Sequence, residues 1–530
     1  MYFTSLSFIL FLIAVFLLYY TIPKKLQWMF LLLASMIFYA LSRVWSLIYI
    51  CATIVTTWFS GQKIGKLNDA QKEYLAQNKE SLSREEKSSY KAKNKKTRKL
   101  WLVLCLLLNF GMLAVIKYTD FVIFNINGAA KAFGGQSDLA LMNFILPLGI
   151  SFYTFRTMSY VIDVYWGKIK AEKNVCKLGL FTSFFPQILQ GPISRYGDLS
   201  PTLFASKKFD FKVFSFGCQR IIWGFFKKLV IADRLLVAVK VLIGDTEQYY
   251  GIYSLLAISL YAVTLYCDFT GGIDITIGIG NALGIEIAEN FDRPFFSKNI
   301  FEYWRRWHIT MGVWFKDYLF YPISVSKPML KLSTASRKAL GAALGKRIPV
   351  YITTIILWFM TGIWHGASWN FIVWGLTNGV VIIISQELMP LYKKFHDRVG
   401  FSNTKTYNAF MIFRTFWLMS FIRSFDIYVS VPKTFQMFWS VFTDFNLPRF
   451  LSEGVSDLGL DTKDYIVAAA GLLILFISAY IKSKRGVREW LSMRPAAVRC
   501  TVIVFLIVSI LIFGVYGIGF NANQFIYNQF

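Results

Sequence analysis

Long apolar runs are the feature that most limits the folds open to this chain of 530 residues. Each approaches the roughly 20 residues that an α-helix needs to cross the hydrocarbon core of a bilayer. Residues 27–60 should hold two further spans, broken at Ser42 and Arg43 and either tilted or partly re-entrant. With a hydrophobic content of 55%, the chain is predicted to be an all-α integral membrane protein and not a soluble domain. The ten long runs lie near 3–20, 100–118, 141–165, 214–240, 251–269, 349–365, 369–389, 406–424, 464–481 and 500–520.

The formal net charge of +27 comes from basic residues that lie between the apolar runs. This placement is typical of cytoplasmic loops, so we predict no nucleic-acid partner. Basic residues outnumber acidic ones by twelve to five in 61–99, by six to none in 324–347 and by six to one in 482–499, which predicts that these segments are cytoplasmic. The two acidic segments, 244–251 and 444–464, should lie on the extracytoplasmic side of the membrane. Counting spans from 61–99 then places both termini on the extracytoplasmic side.

The basic 61–99 segment is rich in helix formers and should be a solvated cytoplasmic helix that contacts anionic lipid headgroups. The six cysteines form no C-x-x-C pair and have no histidine at ligand spacing, which argues against a disulfide framework and a metal site. The first 20 residues lack a basic leader and a small-residue cleavage site, so they should form a retained first span.

Two of the three histidines lie in apolar, tryptophan-rich stretches 57 residues apart. His308 ends Phe-Glu-Tyr-Trp-Arg-Arg-Trp-His, and His365 ends Trp-Phe-Met-Thr-Gly-Ile-Trp-His. An imidazole at membrane depth is costly and is therefore usually functional. A hydrogen-bonded packing histidine is the alternative, which stays more open for His308 than for His365. His396, in Lys-Lys-Phe-His-Asp-Arg, should lie on a solvated surface.

Asp268 and Asp274 lie at the end of an apolar run, where a carboxylate needs a cationic partner or a water-filled cavity. The nearby Gly278 and Gly280 lack the third glycine and the βαβ context of a dinucleotide-binding loop. The spacing of Gly280 and Gly284 instead favours close packing of helices.

Residues 290–322 mix aromatic, charged and apolar side chains around Pro294, which argues against a plain spanning helix. An amphipathic or re-entrant helix on the cytoplasmic side fits this pattern, with Trp304 and Arg305 at interface depth. An aromatic and basic interfacial belt would explain these two residues equally well.

Five blocks of the chain form a characteristic series. They are Leu-Pro-Leu-Gly-Ile-Ser-Phe-Tyr-Thr-Phe at 146–155, Phe-Phe-Pro-Gln-Ile-Leu-Gln-Gly-Pro-Ile-Ser-Arg-Tyr at 184–196, Phe-Phe-Lys-Lys-Leu-Val-Ile-Ala-Asp at 225–233, Glu-Asn-Phe to Trp-Phe-Lys-Asp-Tyr at 289–318, and Trp-His-Gly at 364–366. In their residues and in their order across most of the chain, these blocks resemble the membrane-bound O-acyltransferase family, in its branch of bacterial alginate O-acetyltransferases. Residues 267–274, Cys-Asp-Phe-Thr-Gly-Gly-Ile-Asp, depart from the branch's usual Phe-Asp-Phe-Ser-Gly-Tyr-Ser-Asp, which bears on substrate choice.

The resemblance implies one membrane-embedded domain over 1–530, built as a bundle of about 11 transmembrane helices with re-entrant and amphipathic interfacial helices. Its catalytic core would cover 266–390. His365 matches the family's catalytic histidine, and His308 matches its second signature histidine. The candidate substrate-binding residues are Asp268, Asp274, Trp304, Arg305 and Asn370.

Attack of a hydroxyl group on a thioester needs a base, and a neutral imidazole is well suited to this near pH 7. Burial disfavours the imidazolium and would keep His365 able to accept a proton. A positioned base contributes about 10²- to 10⁴-fold, so proximity and dipoles aimed at the developing oxyanion must supply the rest. His308 and backbone amides are candidate donors to that oxyanion.

Residues 525–530, Phe-Ile-Tyr-Asn-Gln-Phe, resemble an ending found in several bacterial members of the family and their small partner proteins. The resemblance implies that Tyr527, in an extracytoplasmic tail over 521–530, carries the acyl group onward. Its phenol would then be a nucleophile with His365 as base. An aromatic anchor at the outer interface is the alternative.

The resemblance as a whole implies an O-acetyltransferase of the cell membrane with no cofactor beyond its thioester donor, expected to be acetyl-CoA. The final acceptor would be an envelope polysaccharide or exopolysaccharide, and a separate extracytoplasmic acetyltransferase would be a partner. Two alternatives stay open at this point. One is a D-alanyl exporter for teichoic acids that uses an acyl carrier protein, and the other is a polysaccharide transporter without acyl-transfer chemistry.

Overall fold

The fold is helical throughout the described part of the chain, where no β-strand occurs, and this confirms the predicted fold class. Contacts divide the chain into two compact units, one with residues through 214 and 280–287, the other with 215–279 and the residues from 288 onward. The single domain predicted over 1–530 stays a prediction. The computed structural model describes residues 3–135, 137–401, 404–428, 430–484 and 486–516.

Eight helices among the described residues are long and apolar enough to cross a bilayer, which agrees with a multi-pass membrane protein. A further apolar helix at Leu6–Thr21 has only 16 residues. The predicted pair within 27–60 is present, and its break at Arg43 has an extended φ of −168°. The predicted number of about 11 spans is not confirmed. The eight candidate spans are Lys24–Ser42, Val44–Gln77, Arg84–Ala132, Ile252–Ala282, Ile348–His365, Trp369–Glu387, Thr462–Lys482 and Ala496–Phe513.

Three predicted spans are helical but do not meet the length and composition of a span. The 141–165 run becomes helical only at Ile150, and 14 of the 17 residues of that helix are buried. The 214–240 run contains buried lysines, and the 406–424 run contains the buried Arg423. A long apolar run marks burial, and these helices are buried partly by protein, so run length alone does not establish that they cross the membrane.

In the first unit, two long helices, α3 (Leu47–Gln77) and α4 (Arg84–Ala132), continue beyond their apolar parts and form a helical hairpin. The segment 61–99, predicted as one solvated helix, consists of the polar end of α3, the connecting turn and the polar start of α4. Ser83 begins α4 with a capping box, in which its Oγ accepts from the Glu86 N–H and the Glu86 carboxylate accepts from the Ser83 N–H. The helices of this unit are α1 (Leu6–Thr21), α2 (Gln27–Ser42), α3 (Leu47–Gln77), α4 (Arg84–Ala132), α5 (Ile150–Trp166), α6 (Val175–Ser183), α7 (Pro186–Leu189) and α8 (Tyr196–Leu203).

Charge is distributed unevenly along this hairpin. Its tip, 72–87, carries four basic and four acidic residues, whereas its base carries eight basic residues and only Asp69 as an acid. The rings of Phe59 and Trp101 lie at the base, with the Lys63 ammonium 5.2 Å from the Phe59 ring centroid. An aromatic pair beside a basic collar is typical of the membrane interface. We therefore expect the base, and not the tip, to contact lipid headgroups.

The second unit contains the histidine motifs and most of the remaining helices. Two of its helices are continued by π-helical turns, Phe226–Ala232 after α9 and Lys316–Phe320 after α13. The α-helices are α9 (Phe211–Phe225), α10 (Asp233–Gly244), α11 (Ile252–Ala282), α12 (Ile300–Arg306), α13 (Ile309–Phe315), α14 (Tyr321–Ser324), α15 (Lys327–Gly345), α16 (Ile348–His365), α17 (Trp369–Glu387), α18 (Met389–Arg398), α19 (Lys405–Ile427), α20 (Val431–Thr443), α21 (Leu447–Glu453), α22 (Thr462–Lys482), α23 (Val487–Ser492) and α24 (Ala496–Phe513).

Helix α11 packs closely on α9 through glycines. A Cβ atom on Gly224 would lie 2.6 Å from the Gly271 carbonyl oxygen, and one on Gly278 would lie 2.8 Å from the Gly217 carbonyl oxygen. The helix packing predicted for the Gly280–Gly284 pair is wrong, because α11 ends at Ala282 and Gly284 lies beyond it with a φ of +73°. The glycine-rich stretch is helical, so it forms no phosphate-binding loop.

The two acidic segments predicted to face outward lie against each other in the second unit. The Ile252 N–H donates to the Phe445 carbonyl at 2.9 Å, and the Gly251 N–H donates to the Ser440 hydroxyl at 2.9 Å. Tyr249 and Leu458 share one buried apolar cluster. Segments in such close contact lie on the same side of the membrane, while the direction of that side stays a prediction.

Candidate active site

The end of α16 and the start of α17 form the first wall of the candidate site. His365 is the last residue of α16, and Gly366 leaves the helix in an extended conformation with φ −164°. A Cβ atom on Gly366 would collide with the ring of Phe371, and one on Gly362 would collide with the Phe371 carbonyl oxygen. The glycine of the Trp-His-Gly motif is thus required sterically, because α17 turns back directly over the histidine.

Gly375 is where the two helices come closest, and its replacement by alanine should be disruptive. The new Cβ would collide with the Trp358 carbonyl oxygen and lie 3.0 Å from the Gly362 Cα atom. We expect Gly375→Ala to destabilise the protein by about 1–3 kcal/mol, as overpacking usually does. Thermal unfolding in detergent measures the loss.

Gly379→Ala is the matched control on the same helix. There the new Cβ would meet side-chain atoms of Trp358 and Ile355 at 3.1 and 3.3 Å, and side chains can move more easily than a backbone carbonyl. Equal losses in the two variants would contradict the assignment of Gly375 as the crossing point.

The second wall is the predicted amphipathic or re-entrant segment, and it is indeed broken into short helices. Helix α12 ends at Arg306 and α13 begins at Ile309. His308 lies in the turn between them with a φ of +48°, a left-handed conformation that costs a non-glycine residue free energy. Its side chain is fully buried. Strained, buried conformations of this kind are concentrated at functional sites.

Asn290 stabilises the turn that contains His308. Its Oδ1 atom accepts hydrogen bonds from the Thr310 N–H at 3.0 Å and the Thr310 hydroxyl at 2.8 Å, and lies 3.2 Å from the His308 Nδ1 atom. Its backbone carbonyl accepts from the Ile309 N–H at 2.9 Å. We did not predict Asn290 as a site residue. The available signal was its place in the Glu-Asn-Phe start of the 289–318 block.

Trp364 brings the two histidines together. Its ring centroid lies 6.1 Å from that of His308 and 5.0 Å from that of His365. Phe269 of α11 packs edge-on against His308 at 5.0 Å, and Trp374 of α17 packs edge-on against His365 at 4.7 Å. Residues from four separate segments therefore form one aromatic site around two imidazoles.

Trp304, predicted to bind substrate, belongs to the same aromatic site. Its ring lies 4.7 Å from Trp358 and 5.9 Å from Trp374, and Trp374 in turn contacts His365. Its neighbour Arg305 is solvent-exposed. Direct substrate contact stays a prediction for both residues.

Arg423 of α19 packs against Trp307, the residue that precedes His308. It was not among the predicted site residues. It is buried, with its guanidinium 4.4 Å from the ring centroid of Trp307 and 3.2 Å from the Asp426 carboxylate. Trp307 also stacks on Tyr303 at 5.6 Å. The residue that precedes His308 is therefore packed between a cation and an aromatic ring.

Asp268 and Asp274 have cationic partners, as buried carboxylates require. Asp268 accepts from the Lys228 ammonium at 2.6 Å. Asp274 accepts from Lys227 at 2.6 Å and from Arg220 at 2.8 Å. These ion pairs join α11 to α9 and to the π-helical turn that continues it, which is a structural role. Substrate binding by either aspartate stays a prediction.

The remaining predicted residues occupy different places. Asn370 is buried and donates from Nδ2 to the Phe425 carbonyl at 3.0 Å, which fixes the start of α17 to the end of α19. His396 is only partly exposed, on α18, with Nε2 2.8 Å from the Tyr407 hydroxyl oxygen. Tyr527 and the tail over 521–530 lie outside the described residues.

The electrostatic state of the site follows from burial. Desolvation lowers the pKa of His308 to about 3, so the imidazole is neutral at physiological pH. His365 is less buried than His308, although its Nε2 atom is itself buried within the aromatic site. Two imidazoles that share a tryptophan contact, one of them neutral, can accept a proton from a hydroxyl group.

Comparison with known proteins identifies the family of this chain. The profile described as the membrane-bound O-acyltransferase family matches residues 174–337, which include His308. A probable alginate O-acetylase of Azotobacter vinelandii is 31% identical over 393 residues, covering 73% of this chain and 69% of the relative.

Two other relatives act on different polymers. A peptidoglycan O-acetyltransferase of Helicobacter pylori is 30% identical over 395 residues, covering 69% of this chain and 66% of the relative. A teichoic acid D-alanyltransferase of Bacillus subtilis is 28% identical over 265 residues, covering 48% of this chain and 62% of the relative.

Proposed function

Because this chain belongs to the membrane-bound O-acyltransferase family, and is thus a membrane O-acyltransferase, we propose that it transfers acetyl groups to a cell-envelope polysaccharide or exopolysaccharide. The donor in this proposal is a cytosolic thioester, acetyl-CoA, and the acceptor lies on the outer side of the membrane. The observation that carries the proposal is the contact of Trp364 with both His308 and His365.

The chemistry assigns His365 as the general base. It takes the proton of the attacking hydroxyl as the oxygen bonds to the acetyl carbon, and the carbon–sulfur bond then breaks. The leaving thiolate recovers that proton from the imidazolium, so no further reactant is required. We prefer His365 to His308 because His365 as a residue is partly exposed, whereas His308 is fully buried.

The acceptor of the first transfer is proposed to be the Tyr527 phenol, which would pass the acetyl group to a separate extracytoplasmic acetyltransferase. Two transfers through an acyl-tyrosine would replace one difficult transfer across the membrane. Tyr527→Phe removes only the nucleophilic oxygen. It should abolish polymer acetylation if Tyr527 carries the acyl group and leave it intact if the tyrosine is an anchor.

A D-alanyl transferase is the second candidate, favoured by the similarity to a teichoic acid D-alanyltransferase. The acetyl proposal rests on the O-acetylating relatives, which reach 30–31% identity over longer stretches than the 28% of that relative. In membranes containing the protein, labelled acetyl-CoA and labelled D-alanyl carrier protein separate the two donors.

The decisive experiment measures ester-linked acetate and D-alanine on purified envelope polymers. Cells that lack this chain, cells with the wild type and cells with His365→Ala should be compared. Our proposal predicts acetate only with the wild type, and normal export of unacetylated polymer otherwise. Unchanged acetate in all three strains would refute it, and loss of polymer export would favour a transporter.

A further inference from the structure

We infer that Asn290 is a positioning residue that holds the proton of the neutral His308 imidazole on Nδ1, so that Nε2 is the acceptor nitrogen. The inference rests on the hydrogen bonds around the His308 turn and reverses the expectation that His308 donates to the oxyanion. Its consequence for catalysis depends on the proposed function, whereas the protonation pattern itself does not.

The first step identifies which end of the Asn290 amide faces His308. The Thr310 backbone N–H can only donate, and it lies 3.0 Å from the Asn290 Oδ1 atom. That atom must therefore be the amide oxygen, because the amide nitrogen cannot accept. The Thr310 hydroxyl adds a second donor to the same oxygen at 2.8 Å.

The second step follows from the 3.2 Å distance between this oxygen and the His308 Nδ1 atom. An amide oxygen has no proton to give, so the contact is a hydrogen bond only when Nδ1 carries the hydrogen. A neutral imidazole has one N–H, and the partner of one ring nitrogen therefore determines the role of the other. The Nε2 atom is then left with its lone pair.

The third step concerns the orientation of the His308 ring, which the surrounding residues restrict. His308 is fully buried with a φ of +48°, and the Ile309 N–H that follows it donates to the Asn290 carbonyl. The rings of Phe269 and Trp364 pack against the imidazole. The Asn290 carbonyl therefore fixes the backbone of the turn, and the Asn290 side chain fixes the His308 ring.

The consequence is a division of roles between the two imidazoles. A neutral His308 with its proton on Nδ1 cannot donate from Nε2, so it does not stabilise the oxyanion through that atom. Its Nε2 atom is an acceptor, and the oxyanion must then be stabilised by backbone amides or other donors.

The low number of histidines makes the inference directly measurable. The chain has three, so protein labelled with ¹⁵N only in histidine gives three pairs of ring signals. His365→Gln and His396→Gln assign those of His308 by elimination. We expect His308 to have a protonated Nδ1 and an unprotonated Nε2 near neutral pH. A protonated Nε2 in the wild type would overturn the inference.

Three variants separate positioning from mere stability. Asn290→Leu removes the acceptor, and Asn290→Asp keeps it. Thr310→Val removes the hydroxyl donor and leaves the contact with His308 intact. We expect only Asn290→Leu to lose the Nδ1-protonated form, and Thr310→Val to keep it.

The same variants should differ in catalysis. In Asn290→Leu we expect kcat to fall by roughly 10- to 100-fold with little change in KM, the range seen when partners that orient metal-bound imidazoles are removed. If Asn290→Leu does not fold, the wild-type measurement still decides the inference. A protonated Nδ1 in a chain that does not acetylate any polymer would refute the proposed function alone.

Discussion

His365→Ala is expected to lower the rate of acyl transfer by about 10²- to 10⁴-fold, because it removes the positioned base while the rest of the site remains. His365 is not fully buried and its ring centroid lies 4.7 Å from that of Trp374, so its truncation affects an aromatic cluster that is less buried than a core. The effect should be on kcat. Protein in nanodiscs with labelled acetyl-CoA provides the rate.

His396→Ala is the matched control for this experiment. His396 lies on α18, is hydrogen-bonded to Tyr407 and takes no part in the aromatic site, so its loss should leave transfer within a factor of about two. His365→Gln adds a polar side chain that cannot act as a base and should be as inactive as alanine. Activity retained in both His365 variants would remove this residue from the mechanism.

Lys228→Met is expected to be the most damaging change to folding, by about 3–5 kcal/mol, because it leaves buried carboxylates without the cation that they share. The Lys228 ammonium lies 2.6 Å from Asp268 and 2.8 Å from Asp233, and the lysine side chain is 0% exposed. The two aspartates come from α11 and α10, so the ion pairs tie these helices together. The midpoint of thermal unfolding in detergent and the yield of monodisperse protein measure the loss.

The adjacent lysine provides the comparison. Lys227 pairs with Asp274, but Asp274 also accepts from Arg220, so Lys227→Met leaves that carboxylate with a cation. We expect a smaller loss than for Lys228→Met. Adding Asp233→Asn and Asp268→Asn to Lys228→Met should restore part of the stability, since the buried charges are then removed as well. The opposite order of the two lysine variants would contradict the assignment.

Local patterns predicted the elements that depend on local chemistry. The pair of spans within 27–60 breaks at Arg43 as expected, and the segment after Pro294 is broken into short helices as its mixed composition indicates. The count of about 11 spans is not confirmed, because burial by protein and burial by lipid leave the same apolar run. The packing role assigned to Gly280 and Gly284 failed because spacing alone does not distinguish a helix contact from a helix end.

The candidate site was predictable only in part. His308 and His365 were identified from their rarity in apolar stretches, and Asp268 and Asp274 from the need of buried carboxylates for partners. Their partners were not predicted, because Lys227 and Lys228 are adjacent in sequence and yet bind different aspartates. Asn290 and Arg423 were missed for a similar reason, because the role of an amide or a guanidinium depends on which residues it contacts in the folded protein.

The sequence alone determined that this protein is a helical membrane protein with two unusual histidines, since hydropathy and the cost of burying polar groups are properties of the residues themselves. The tertiary structure decided which ring faces which, which cation neutralises which carboxylate and which nitrogen of His308 carries its proton. Those outcomes depend on distances between residues far apart in the chain, and hydrogen bonds and ion pairs act only over a few ångströms.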